Sequence, residues 1–83
     1  MEITAGSVVY SKAGRDKGKK FLVLSLENNF AYIADGDLRK VVKAKKKKLM
    51  HLQKTNCVFE IEDDITDSGV RKLLARYKPV QKS

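Results

Sequence analysis

The 83-residue sequence predicts a mostly β domain: a small five-stranded barrel with one C-terminal α-helix packed on it. Two patterns and the chain length carry that expectation. Runs of β-branched, aromatic and aliphatic residues at Val8 to Tyr10, Phe21 to Leu26 and Phe30 to Ala34 are bounded by Gly, Asn or Asp turns. Val70, Leu73, Leu74 and Tyr77 fall at i, i+3, i+4 and i+7, the apolar stripe of an amphipathic helix. A chain this short forms one domain and buries only about 60 to 65% of its unfolded surface, so its core must be compact. A hydrophobic fraction of 42% argues for folding despite 34% charged residues.

Taken in order, the first strand places Val8 and Tyr10 on one face and Val9 on the other. The second, Lys20 to Leu26, is apolar on both: Phe21 and Val23 on one face, Leu22, Leu24 and Leu26 on the other. A strand buried on both sides needs cover beyond the barrel interior, and the helix is the natural cover. Glu27, Asn28 and Asn29 form a turn, because Asn tolerates the left-handed region that tight hairpins use. Phe30 to Ala34 is the third strand. Asp35-Gly36 is a hairpin signal, which makes Leu38 to Lys43 the returning fourth strand. Lys45 to Lys48 then reads as a loop, since four adjacent like charges repel, and Leu49 to Lys54 as a fifth strand placed to close the barrel. Cys57, Phe59 and Ile61 alternate with Val58, Glu60 and Glu62 in an extended segment. Thr66 or Asp67 caps the helix, Pro79 ends it, and residues 80–83 form a loose tail.

Charge is segregated along the chain. Residues 1–54 hold thirteen Lys and Arg against five Asp and Glu, whereas residues 55–83 hold five against five, so the whole net charge of +8 lies on the first part. Such segregation points to a polyanion-facing surface, best explained as a nucleic-acid face. Three clusters compose it: the loop with Lys12, Arg15, Lys17, Lys19 and Lys20; Arg39 and Lys40; and the run Lys43, Lys45, Lys46, Lys47 and Lys48. Within the loop, Gly14 and Gly18 supply backbone freedom for a sharp turn.

The blocks A-G-R-D-K-G-K from Ala13, I-A-D-G-D-L-R-K-V from Ile33 and K-K-K-K-L-M-H-L from Lys45 occur in that order. Together they resemble the KOW motif proteins, in particular the archaeal and eukaryotic large-subunit ribosomal proteins of the fourteen-e type and short bacterial KOW proteins. The resemblance covers roughly residues 3–54. It implies an SH3-like barrel over residues 1–54, with residues 55–83 completing the same domain, and a loop between the first two strands that touches RNA, ribosomal RNA foremost, with ribosomal proteins as further neighbours.

Arg15 and Arg39 stand out, since a guanidinium grips phosphate bidentately or stacks on a base. Asp16 and Asp37 either orient them or serve their own turns; both readings stand open. Tyr10 and Tyr32 are candidates for base stacking, with Phe30 assigned to the core. His51, among Met50, Leu52, Lys48 and Lys54, donates to a phosphate or makes a structural hydrogen bond.

Catalysis is not expected. His51 and Cys57 lack an orienting third group or an oxyanion site. Glu60, Glu62, Asp63 and Asp64 precede a helix whose dipole favours acids there, so no metal or other cofactor is expected. The single Cys57 closes no intrachain disulfide, and no leader or membrane-spanning run is legible, which predicts a cytoplasmic protein without a membrane role, monomeric by default. The alternative to RNA binding is a protein-interaction module using Phe59, Ile61 and the acids of the C-terminal third, docking on a ribosomal or transcription component.

Overall fold

Buried on both faces, the strand Lys20–Glu27 is the middle of the sheet, as its apolar pattern requires. A computed structural model describes residues 2–79. Its elements are β1 (Ser7–Ser11), β2 (Lys20–Glu27), β3 (Phe30–Ala34), β4 (Lys45–Lys48), β5 (Leu52–Val58) and α1 (Asp67–Arg76). The strands form one antiparallel sheet in the order β4-β3-β2-β1-β5. The edge strands β4 and β5 are joined by a single 3-10 turn, Leu49–His51, so the sheet must curl to bring its edges together, although no ladder pairs them among the described residues. The expected tail at 80–83 lies outside those residues.

Two cores flank the sheet. The inner one gathers Val9, Phe21, Val23, Ala31, Ile33 and Leu52. On the other side Val8 and Leu22 meet Val70 and Leu74 of α1, with Leu24, Cys57, Phe59 and Tyr77 packed around them. The expected alternation of Val8 against Val9, and of Leu22 against Phe21 and Val23, therefore holds, and so does the helix as cover for β2. Phe21, Leu22 and Val23 are fully buried, each worth about 1.5 to 3 kcal/mol of transfer free energy. Thr66 caps α1, its hydroxyl accepting from the Gly69 amide at 3.1 Å. Asn28 opens the β2–β3 turn with φ 54.

Four expectations are corrected. Leu26 does not share a face with Leu22 and Leu24: the register shifts between Val23 and Ser25, pairs Leu26 with Ala31 and leaves it 41% exposed. A bulge adds one residue to one strand, so every later side chain changes sides.

Leu38 to Lys43 is not a strand. The Asp35 carboxylate accepts from the amides of Asp37 (2.9 Å) and Arg39 (2.8 Å), closing a loop, and Val41–Lys43 is a 3-10 turn whose Val41 amide donates to Asp67 at 2.7 Å. Those amides are used up in the loop and cannot build a ladder.

Lys45 to Lys48 is not a loop but β4, paired with β3 through Ile33↔Lys45, Tyr32↔Lys46, Ala31↔Lys47 and Phe30↔Lys48. Repulsion is avoided because successive lysines point to opposite faces, the partners across the ladder are uncharged, and an edge strand has a neighbour on one side only. Leu49 to Lys54 is correspondingly split between the 3-10 turn and the start of β5, which runs on to Val58 across the expected boundary at residue 54.

Candidate nucleic-acid interface

The β1–β2 loop is shaped by its own backbone. Gly18 donates to Ser11 O (2.8 Å), Lys19 to Asp16 O (2.9 Å) and Lys17 to Gly14 O (3.2 Å), with Gly14 and Gly18 at φ 78 and 85. Lys12, Arg15, Lys17 and Lys19 project from it exposed, and none forms an ion pair or side-chain hydrogen bond with a described residue.

Asp16 points the other way. Its side chain is 8% exposed and takes Arg39 Nη2 at 3.0 Å and Lys45 Nζ at 3.4 Å. Burial pushes its carboxyl up, but the Arg39 hydrogen bond and the charges of Arg39 and Lys45 outweigh that, holding it below the ordinary carboxylate value. One carboxylate against two cations leaves a positive balance at this point. Lys47 reinforces the junction: it is 8% exposed overall, with its Nζ donating to Ala13 O at 2.8 Å. Its apolar stem lies buried while the ammonium reaches the rim, the usual compromise for a long cationic side chain. Arg39, Lys45 and Lys47 are thus drawn onto the β1–β2 loop, joining three clusters that are separate in the sequence. Of the two readings open for Asp16, the structure shows the carboxylate orienting Arg39.

The β3–β4 connection, residues 35–44, borrows its shape from α1. Besides the Asp67 bond to Val41, Arg71 Nη1 donates to Gly36 O. Gly36 is buried at φ 77 against this helix turn, where an added Cβ would overlap the Asp67 carbonyl oxygen. Only glycine fits such an approach. Lys40 and Lys43 stand exposed on the connection, beside Arg39.

The remaining candidates lie elsewhere. Lys20 turns to the helix, its Nζ donating to Leu74 O at 3.1 Å and sitting 5.6 Å from the Tyr77 ring centroid, where a cation suits the negative end of the helix dipole. Lys46 and Lys48 occupy the opposite face of β4 from Lys45 and Lys47. Lys46 Nζ lies 4.6 Å from the Phe30 centroid, 6.0 Å from that of Tyr32 and 3.4 Å from Glu27. Phe30 is accordingly half-buried beneath Lys46 and not in the core.

Tyr32 Oη donates to Glu27 at 2.7 Å. That bond raises the Tyr32 phenol and, with Lys46 assisting, lowers the Glu27 carboxyl. Tyr10 packs edge-to-face on Tyr77, with centroids 6.2 Å apart. His51 is half-buried in the turn before β5, its carbonyl accepting from the Lys12 amide at 2.8 Å. Cys57 joins the helix-side core. Among the described residues no three of His, Cys, Asp and Glu gather into a group able to hold a metal, and no helix is long and apolar enough to cross a membrane.

Asp35, Asp67 and Arg71, which set the second basic loop, were not legible as site residues. An Asp two residues before another Asp across a Gly is an Asx-turn signal, and it could have identified Asp35. Nothing local marks Asp67 or Arg71. No protein-family model matches this chain, and no curated protein matches it.

Proposed function

We propose that this chain is an RNA-binding module of the KOW type, associated with the ribosome or ribosomal RNA in the cytoplasm, acting as a binding protein and not as an enzyme. The observation that carries the reading is the junction at Asp16. It brings Arg39 and Lys45 onto the β1–β2 loop, while Lys12, Arg15, Lys17 and Lys19 stay exposed beside them. Clustered cations of this kind neutralise successive phosphates and release condensed counterions, giving affinity that depends on backbone and shape more than on base identity. The ribosomal assignment rests on the three ordered sequence blocks.

A titration of labelled structured RNA against salt tests it. Contact with about six phosphates gives a slope of log affinity on log salt near −4 to −5, and Arg15→Glu with Lys17→Glu flattens it; a slope near zero overturns the reading. Co-sedimentation with large ribosomal subunits, reversed by salt, tests the ribosomal part. A second reading, protein docking, has its own observation: a groove of about 500 Å³ where Ile61, Ile65 and Leu73 are rimmed by Glu60, Glu62 and Asp64 and by Lys72 and Arg76. A partner retained by the double charge reversal while RNA is lost favours it.

A further inference from the structure

A groove of about 620 Å³ opens between β5 and the end of α1, away from the exposed tip of the basic loop. Its floor is aromatic: Tyr10 and Tyr77 with planes at 65°, and Phe59 beneath the Arg76 guanidinium, whose Cζ lies 5.6 Å from the ring centroid. Its walls carry Lys54, Arg76 and Lys78, and among the described residues no Asp or Glu lines it. Edge-to-face packing leaves ring surface uncovered, and both tyrosines are half-buried, not sealed. A ligand matching this chemistry is planar and anionic at once.

The groove also borders β1, the strand that leads into the basic loop. Tyr10 lies two residues before Lys12, and β-sheet pairing sets it directly opposite Lys20 on one side and Gln53 on the other. A phosphate backbone running from the exposed Lys12 towards the groove meets no acidic side chain in its described lining.

We infer that the Tyr10–Tyr77 groove receives an unpaired nucleotide of the bound RNA, stacking its base on the aromatic floor while Lys54, Arg76 and Lys78 meet its phosphates. This rests on the RNA-binding reading and sharpens it, because a base reaches the groove only from a single strand, bulge or loop. It also gives α1, which contributes Arg76 and leads into Tyr77, a part in the binding surface. Stacking is sequence-tolerant, so the preference is for unpaired over paired RNA and not for one base.

The test compares a single-stranded oligoadenylate with a fully paired RNA duplex of equal length, using the full chain. Tyr10→Leu with Tyr77→Leu is expected to weaken oligoadenylate binding about 5-fold or more, leaving duplex binding and both salt slopes unchanged. Tyr10→Phe with Tyr77→Phe restores it, since a phenyl ring still stacks. Irradiation of the unmodified chain with an oligouridylate carrying 4-thiouridine is expected to place adducts on Tyr10 or Tyr77, a readout independent of whether the leucine variant folds.

Adducts confined to residues 12–19, or equal losses on both RNAs, overturn the inference. So does an oligoglutamate peptide whose binding needs Tyr77 while oligoadenylate binding does not; that result assigns the groove to an acidic protein segment. Duplex binding that depends on Arg15 and Lys17 but never on the tyrosines sinks the groove alone. Failure of both RNAs to bind sinks the RNA reading with it.

Discussion

The two loops that carry the basic surface are held in different ways. The β1–β2 loop is closed by hydrogen bonds among residues 11 to 19, all neighbours in the chain. The β3–β4 connection also has a local clasp, Asp35, but its seat is the N-terminal half of α1: Asp67 on Val41, 26 residues away, and Arg71 on Gly36, 35 residues away. The first loop closes on itself and adds distant ties, the Lys12 amide on His51 O and Lys47 on Ala13 O, whereas the second takes its seat from the helix. Arg39 meets Asp16 only because both devices hold, so the C-terminal helix both covers β2 and builds the site.

That contrast can be broken most severely at Gly36. Gly36→Ala puts a methyl into the Asp67 carbonyl at a positive φ, where the nearest obstructing atom is a backbone oxygen that cannot swing aside. The expected loss is about 3 kcal/mol or more, read as a fall in thermal or urea midpoint, and RNA binding falls with it.

Asp16→Asn unties the two loops from each other while leaving each one's own bonds in place. Arg39 and Lys45 have side chains 34% exposed and regain water when released, so the cost is moderate, about 1 to 2 kcal/mol at neutral pH. The pH dependence has a definite sign. The folded carboxyl is lowered, so its contribution is fully present above the unfolded carboxylate pKa, about 3.9, and is lost as pH falls through the folded value. Melting curves of the two proteins are therefore expected to converge in acid and diverge towards neutrality.

Asp67→Ala removes the bond to Val41 and should cost about 1 kcal/mol, with amide exchange accelerated at residues 37–43 but not in the β1–β2 loop. Equal acceleration in both loops would show that the distinction between them is wrong. The smallest effect is expected for Lys47→Met, which keeps the buried stem and loses only the bond to Ala13 O, for about 0.5 kcal/mol. Heteronuclear NMR should show shifts concentrated at Ala13 and Gly14.

Much of this architecture could be read from short-range pattern. Alternation at Val8, Val9 and Tyr10, the two-faced apolar run of β2 as far as Leu24, the Asn28 turn and the Thr66 cap each depend on residues within a few positions, and each stands where expected. The exposed cations of the β1–β2 loop were legible for the same reason. The lysine run shows the limit. Its charge was visible, but a strand's two-residue period splits it into Lys45 and Lys47, which reach Asp16 and Ala13, and Lys46 and Lys48, which lie on the other face. Whether the run paired at all depended on β3 offering uncharged partners at an edge.

The sequence alone determined a mostly β chain with a C-terminal helix covering its central strand, and a net positive charge carried by residues 1–54, because hydrophobic period, turn chemistry and residue charge are properties of neighbours. Tertiary structure decided the rest. It turned Leu38 to Lys43 into a loop seated on α1, switched Leu26 across the sheet at a bulge, bent Lys20 back to Leu74, and brought Tyr77 against Tyr10. Each of these depends on a donor, acceptor or ring supplied from outside its own stretch of chain. No local pattern encodes which distant group arrives, since that is settled only when the two cores close on either side of β2.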